Sequence, residues 1–324
     1  MYPADVSQDR PLDVFMAHMD VVFSDETELP LRVEDGRIYC PGVGDDTACL
    51  VCLLLAGKYI ARHVDSPSWR EIRGEDAPGL LLVCNAGEEG LGNLKGVRKI
   101  CEDYGGRIKS FCTFDSSLSS IVDRAVGSKR FRVKVRTRGG HSYNDFGNDN
   151  AIAGQAPLVG KLYKIQGPEG GKTTDNVGMI SGGTSVNTIA QEAEMLYEFR
   201  SDKRENLEYM ERQFMEVLDR AKAEGTDVSF QVIGVRPCEG QVDPAQKQAL
   251  TDWAHRVVEE MTGQAPKHHA GSTDCNIPLS LGIPSVCVGS FRGAGAHTRE
   301  EYVETDSLEE GYKVAFGMIF GRRD

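Results

Sequence analysis

Leu12-Asp13-Val14-Phe15-Met16-Ala17-His18-Met19-Asp20 sets a short, largely apolar run, LDVFMA, directly against a histidine and an aspartate. Three more runs share that form. LLLVC (80–84) stops on Asn85-Ala86-Gly87-Glu88-Glu89-Gly90, and FCTF (111–114) stops on Asp115. PSVCV (284–288) leads through the glycine-rich GSFRGAGA into His297. Runs of this length, without polar alternation, fit strands buried on both faces of a mainly parallel sheet flanked by helices. The fold class expected is therefore α/β.

Outward from these strands, residues 46–62 are apolar nearly all round and predict a deeply buried helix behind Asp45-Asp46. Asp243-Pro244 predicts a capped helix start, with Leu250, Trp253, Val257 and Met261 at helical spacing and Gly263 as the stop. Asp306 with Glu309 resembles a capping box, ahead of Leu308, Tyr312, Ala315 and Ile319. The middle of the chain differs. KRFRVKVRT (129–137), TIAQEAEMLYEF (188–199) and VSFQVIGV (228–235) alternate as half-exposed strands do. Leu207, Met210, Phe214, Leu218 and Ala221 mark an amphipathic helix between the last two. This texture predicts a separate α+β domain at 125–236, inserted between the halves 1–124 and 237–324 of the first.

Composition agrees with that division. The 324 residues correspond to about two domains at roughly 150 residues each. With 37 basic and 49 acidic side chains the net charge is −12, which argues against nucleic acid or an anionic membrane as partner. The longest apolar stretch, Ala48 to Ala56, is too short to span a bilayer. MYPADVSQDRPLDVF lacks the basic patch and apolar core of a leader, so a signal peptide is not expected. Nine cysteines scattered through apolar segments read as reduced, buried thiols of a cytoplasmic protein.

In open α/β sheets the ligand site lies at the carboxyl ends of the parallel strands. Here those ends carry histidine, aspartate, a glutamate pair, aspartate and histidine. Converging groups of this kind repel unless they share a cation, and they suit two divalent ions about 3.5–4 Å apart bridged by one carboxylate. Nitrogen and oxygen donors without thiolate suit zinc, with cobalt or manganese as alternatives. Singly, each group has a plainer reading. His18-x-Asp20 is more often a surface pair, and Asp45-Asp46 a helix cap. Glu88-Glu89 is a solvated turn, and Asp115 a cap. Their joint placement at strand ends favours a site. Thr273 and Asp274, in a glycine-flanked turn, are candidates to line a substrate pocket.

Other motifs carry less. Cys49-x-x-Cys52 lies inside an apolar helix and reads as core. His268-His269 reads as surface, and Gly42-x-Gly44 is too short for a dinucleotide loop.

The constellation resembles the M20 family of co-catalytic metallopeptidases, particularly its peptidase T-like branch. HMD (18–20), GVGDD (42–46), NAGEEG (85–90), TFD (113–115), RGGHS (138–142), GGTSVN (182–187), EFR (198–200), GSTD (271–274) and GAHT (295–298) run in the family's order. The resemblance implies a zinc-exopeptidase-like catalytic domain and an inserted lid and dimerisation domain. It implies that His18 and Asp115 hold one metal, Glu89 and His297 the other, and that Asp45 bridges them. Asp20 is then expected to orient His18 through its second ring nitrogen, and Glu88 to be the general base toward the attacking water. His141 matches a residue that reaches the partner subunit's site, and Asn187 and Arg200 match positions that bind the substrate's carboxylate end. An aspartate at the position of Asp115 accompanies aminopeptidases in this family, which points to cleavage of the N-terminal bond of short peptides such as tripeptides; the resemblance separately implies a homodimer through the inserted domain. An N-acyl amino-acid deacylase or carboxypeptidase of the same family is the alternative, and a non-catalytic metal- or peptide-binding protein a distant one. Two departures stand out. The HxD strand begins about ten residues into the chain, where family members carry earlier helical sequence, and Thr47 stands where many relatives have lysine.

Overall fold

A computed structural model describes residues 9–23, 28–63, 66 and 77–321; the first eight residues, on which the leader reading partly rests, lie outside it. The chain divides into two compact units, Met1–Ala125 with Glu239–Asp324, and Val126–Cys238.

The first unit is built on a six-stranded sheet in the order Lys267–Gly271, Ser120–Ala125, Ser285–Val288, Ile108–Phe114, Leu12–His18, Gly79–Asn85. All pairings are parallel except that of Ser285–Val288 with Ser120–Ala125. The mainly parallel α/β architecture expected from the apolar runs is thus present. All seven residues of Leu12–His18 are buried, as a central strand covered on both faces requires. Phe15 and Ala17 pack with the helices Cys49–His63, Pro244–Thr262 and Ser307–Phe320. Val14 and Met16 pack on the other side with Val97 and Cys101 of Lys95–Tyr104 and with Ile277 and Leu279 of Asn276–Ser280. Each such Val, Leu, Ile, Phe or Met side chain contributes about 1.5–3 kcal/mol by leaving water. A small antiparallel sheet, Gly293–Ala294, Tyr302–Glu304, Arg37–Tyr39 and Arg32–Glu34, joins the chain's two ends near the strand tips.

Several local expectations need correction. The helix expected at 46–62 starts at Cys49, because Asp45 and Asp46 have non-helical backbone angles. It is not buried all round: Cys49, Cys52, Leu53, Ala56 and Ile60 face the core, while Val51 (46%), Leu54 (53%) and Leu55 (41%) are exposed. It packs in an outer layer, so only one stripe finds neighbours. Asp306 makes no capping bond; Ser307 Oγ instead accepts from Arg292 N–H (2.8 Å) and donates to the Glu304 carbonyl (2.6 Å). The Asp243 cap does form, accepting from Gln246 N–H at 2.9 Å, and Gly263 ends that helix at φ +69°. All nine cysteines are free; seven are buried, but Cys40 is half-buried and Cys84 exposed. His268 bonds Asp123 (2.9 Å) and His255 (2.8 Å), and it and His269 are exposed, as the surface reading expects.

The second unit is a four-stranded antiparallel sheet in the order Val228–Arg236, Gly127–Arg136, Glu192–Ser201, Thr173–Gly182. One face is covered by Ala151–Leu162 and Arg204–Ala223. The other carries cross-strand ion pairs such as Arg130–Glu198, Arg132–Glu194 and Lys134–Glu192. The strand expected at 188–199 is split: Thr188–Ile189 pairs with Gly140–His141, and Glu192–Ser201 pairs within the sheet. The edge strand Thr173–Gly182 is mostly exposed and shows no clean alternation, so its sequence does not announce it. Phe214 fills the centre of this core, its ring 4.3 Å from Phe131, 5.6 Å from Phe230 and 5.7 Å from Tyr197. Phe214→Ala is expected to destabilise by about 3–5 kcal/mol, read from a denaturant melt.

Among the described residues no helix is long and apolar enough to cross a membrane.

Candidate metal centre

Parallel register gathers the chemistry. His18 is level with Asn85, and Val288 with Phe114, so the chain leaves these four strands at one edge of the sheet. His18 is 1% exposed. Its Nδ1 lies 3.0 Å from the Asp20 carbonyl, which can only accept, so Nδ1 carries a proton and Nε2 is the nitrogen left for a ligand role once the ring gives up its second proton. Nε2 lies 3.0 Å from Asp45 Oδ1 yet makes no hydrogen bond. The other oxygen of Asp45 lies 3.0 Å from His297 Nε2, which is also 3.2 Å from Glu89 Oε1. One carboxylate thus stands between two imidazoles.

Ligand atoms of Asp45, Glu89 and His297 fall within 4.8 Å of one another, as do those of His18, Asp46 and Asp115, and those of His18, Glu88 and Glu89. Asp46, read from the sequence only as a cap, is a residue that reading missed. It is 1% exposed, and its Oδ2 accepts from His18 N–H at 3.0 Å. Its burial was not visible in a local Asp-Asp pair.

Asp20 acts differently from expectation. Its carboxylate is 3.7 Å from His18 Nδ1, and the ring is oriented by the Asp20 carbonyl instead. The carboxylate accepts from the backbone N–H groups of Gly87 (2.9 Å), Glu88 (3.3 Å) and Glu89 (2.9 Å). Gly87 at φ +87° lets these donors converge on one anion. Asp20 therefore holds the loop that presents Glu88 and Glu89. A second carboxylate absent from the sequence reading, Glu301, accepts from the N–H groups of Gly42, Gly44 and Asp45. The Gly-x-Gly spacing was the available signal for such an anion cradle.

Thr273 and Asp274 are both buried. Thr273 Oγ1 accepts from Cys275 N–H (3.2 Å) within the turn, and Asp274 accepts from the Asn85 side chain at 2.8 Å. In the second unit, the pairing of Gly140–His141 with Thr188–Ile189 brings His141 beside Asn187, whose carbonyl accepts from Ser142 N–H at 3.0 Å. His141 is exposed, with its Nδ1 accepting from Tyr143 N–H at 3.2 Å. Arg200 places two nitrogens on Glu198, at 2.8 and 3.2 Å.

The donor set suits divalent cations. His18 Nε2, Asp46 Oδ1 and Glu89 Oε1 are buried without hydrogen-bond partners, a costly state for polar atoms unless a ligand satisfies them. Burial works against a charged His18, but Asp45, Asp46, Asp115 and Glu88 outweigh it and push the ring up to about 11. Burial, then Asp45, pushes Asp115 up to about 8, and burial with Asp45 and Glu88 does the same to Glu89. Burial also opposes ionisation of Asp45, but His18 and His297 outweigh it and hold that carboxyl below its ordinary range.

A metal must displace the protons these shifts retain. At pH 7 the metal-free site holds them on His18, Asp115 and Glu89, so loading is expected to release about three protons per chain. Calorimetric titration in buffers of different ionisation enthalpy measures that number. Stability follows the same sign. The two carboxyls bind protons more tightly folded than unfolded, so their contribution is full below about pH 4 and is lost as pH rises through about 8. The metal-free melting temperature is therefore expected to fall between about pH 5 and 8.

The chain is similar in sequence and fold to known proteins. Acetylornithine deacetylase of Myxococcus xanthus is 24% identical over 290 residues, 86% of this chain and 71% of its own length. The fold matches that of aminopeptidase PepT from Bacillus cereus, with a TM-score of 0.68 at 22% identity, covering 97% of this chain and 81% of that one. It also matches a tripeptidase from Staphylococcus aureus, with a TM-score of 0.70 at 23% identity, covering 96% and 80%. The family model described as peptidase family M20/M25/M40 matches residues 14–320, from inside the first strand to the end of the last helix. The chain belongs to that family of hydrolases.

Proposed function

We propose that this protein is a metal-dependent aminopeptidase that removes the N-terminal residue of short peptides, tripeptides in particular. The observation that carries the reading is Asp45, with one oxygen 3.0 Å from each of two histidines and with Glu89 beside the second. In this reading His18, Asp115 and Asp45 would hold one ion, and Asp45, Glu89 and His297 another, with zinc the metal their nitrogen and oxygen donors suit. When bound, such ions would supply Lewis acidity toward a water and the scissile carbonyl. Glu88 takes the proton from the attacking water and returns it to the leaving amine. Asp20 keeps Glu88 and Glu89 in place through their backbone. Arg200 and Asn187 receive the peptide's carboxylate end, with the Arg200 fork exchanging Glu198 for substrate.

His141 supports the developing oxyanion from a second copy of the chain, which makes the enzyme a homodimer. The exposed edge strand Thr173–Gly182, with Met179 64% and Ile180 58% exposed, suits pairing with its own copy. Sedimentation at the monomer mass of 35.5 kDa would remove the trans role of His141. The free thiols fit a cytoplasmic setting.

The likeness to PepT and to the tripeptidase supports the peptidase reading, and the likeness to acetylornithine deacetylase supports an N-acyl amino-acid substrate as the second. One experiment separates them. The zinc-loaded protein is given a tripeptide with a free amine and its N-acetylated twin, and fragments are identified by mass spectrometry. Release of the N-terminal residue from the free peptide alone is the expected result. Acetate from the twin would make the enzyme a deacylase.

A further inference from the structure

Glu301 has no part in the reaction as read above, yet it is among the most enclosed carboxylates of the first unit, 2% exposed. Its Oε2 accepts from Gly42 N–H at 2.7 Å, and its Oε1 from Gly44 N–H at 2.9 Å and Asp45 N–H at 2.8 Å. Two glycines make this approach feasible. Gly42 adopts φ +78°, and a Cβ on Gly44 would lie 2.7 Å from the Phe291 ring and 3.1 Å from Glu301 Oε1. A turn with converging N–H groups is an anion nest, and here the anion belongs to the chain itself.

The sequence position of that anion matters. Glu301 lies four residues after His297, on the loop between Gly293–Ala294 and Tyr302–Glu304. Its backbone carbonyl also accepts from Cys40 N–H at 3.1 Å, just ahead of the Gly42 turn. One residue therefore ties the loop that carries His297 to the turn that carries Asp45. His297 itself sits at φ +65° with its side chain 57% exposed, so core packing does not fix its place. Nor does the helix fix Asp45, which precedes it in non-helical backbone.

We propose that Glu301 is a positioning residue for one half of the metal centre: it sets the separation of Asp45 and His297 and thereby the affinity for the ion they take with Glu89. The proposal rests on the two-ion reading above. It separates Glu301 from a merely structural acid because the ion at His297 depends on both segments that Glu301 ties, whereas the other ion shares only Asp45 and is otherwise held by His18 and Asp115 at strand ends.

The test is titration of the metal-free, full-length protein with cobalt, followed by its visible absorption, together with metal content after dialysis. The wild type is expected to take two ions. Glu301→Gln keeps the shape but turns an NH2 toward backbone donors; it is expected to weaken one ion about 10–100-fold and leave the other within about twofold. Glu301→Asp, which keeps the charge on a shorter stem, is expected to fall between the two and serves if the glutamine variant does not fold. In a His297→Ala background Glu301→Gln is expected to add nothing further. In an Asp115→Asn background it is expected to weaken the one remaining ion by the same factor. Two ions at wild-type affinity in Glu301→Gln, or equal weakening of both, would overturn the proposal. A wild type that binds fewer than two ions would instead overturn the two-ion reading and the role of Glu301 with it.

Discussion

Replacing Glu88 with alanine is expected to lower kcat for a free tripeptide by about 10²–10⁴-fold while the protein still retains two ions per chain. The argument is positional. Glu88 is 6% exposed, its backbone N–H is held by Asp20, and its carboxylate comes within ligand reach of His18 and Glu89. A base must sit beside the activated water without being consumed as a ligand, and adjacent glutamates on one fixed loop meet both needs. Glu89 turns toward His297, at 3.2 Å, which leaves the proton-handling position to Glu88. Metal analysis beside the kinetics decides between base and ligand: an ion lost with the side chain would make Glu88 a ligand. Glu88→Asp, with the carboxylate drawn back by one methylene, is expected to recover part of the rate.

The second large effect is expected at Asp45. Asp45→Asn preserves shape but places an NH2 against one of two ring nitrogens now 3.0 Å from a carboxylate oxygen. It also removes the negative charge that both histidines favour. Metal content is expected to fall from two ions to one or none, with hydrolysis below detection. Asp46→Asn is the natural comparison. Burial and the neighbouring Asp115 already press that carboxyl toward its neutral form, and an amide oxygen still accepts from His18 N–H. Retention of both ions in Asp46→Asn beside their loss in Asp45→Asn would establish which member of the pair bridges. The reverse pattern would exchange their roles.

Much of the scaffold was legible because burial on two faces demands a particular kind of sequence. LDVFMA, LLLVC, FCTF and PSVCV are strands because nothing polar can alternate within them, and parallel pairing then places whatever follows each run at one edge of the sheet. That is how His18, Glu88, Glu89, Asp115 and His297 could be named before any coordinates. Alternation revealed the half-exposed strands, but strands with neither signature were not visible. Lys267–Gly271 and Thr173–Gly182 are edges, and an edge strand is stabilised by its one neighbour more than by its own composition. The apolar Cys49–His63 helix shows the converse limit, since composition gives hydrophobicity but not which stripe meets the sheet.

Within the site, residue types and order came from the sequence, and the assignment of contacts came from tertiary structure. The sequence by itself determined an α/β sheet with carboxylates and imidazoles at its strand ends. The family resemblance had already pointed to Asp45, but only the folded chain showed Asp46 taking a backbone N–H, and the Asp20 carboxylate holding a loop while its carbonyl meets the ring. Only the folded chain brought Glu301 to Asp45 across 256 residues. Periodicity records how one element meets water and core, over a few residues. Which backbone donors a distant carboxylate reaches depends on how the two ends of the chain close on each other, and no local pattern encodes that.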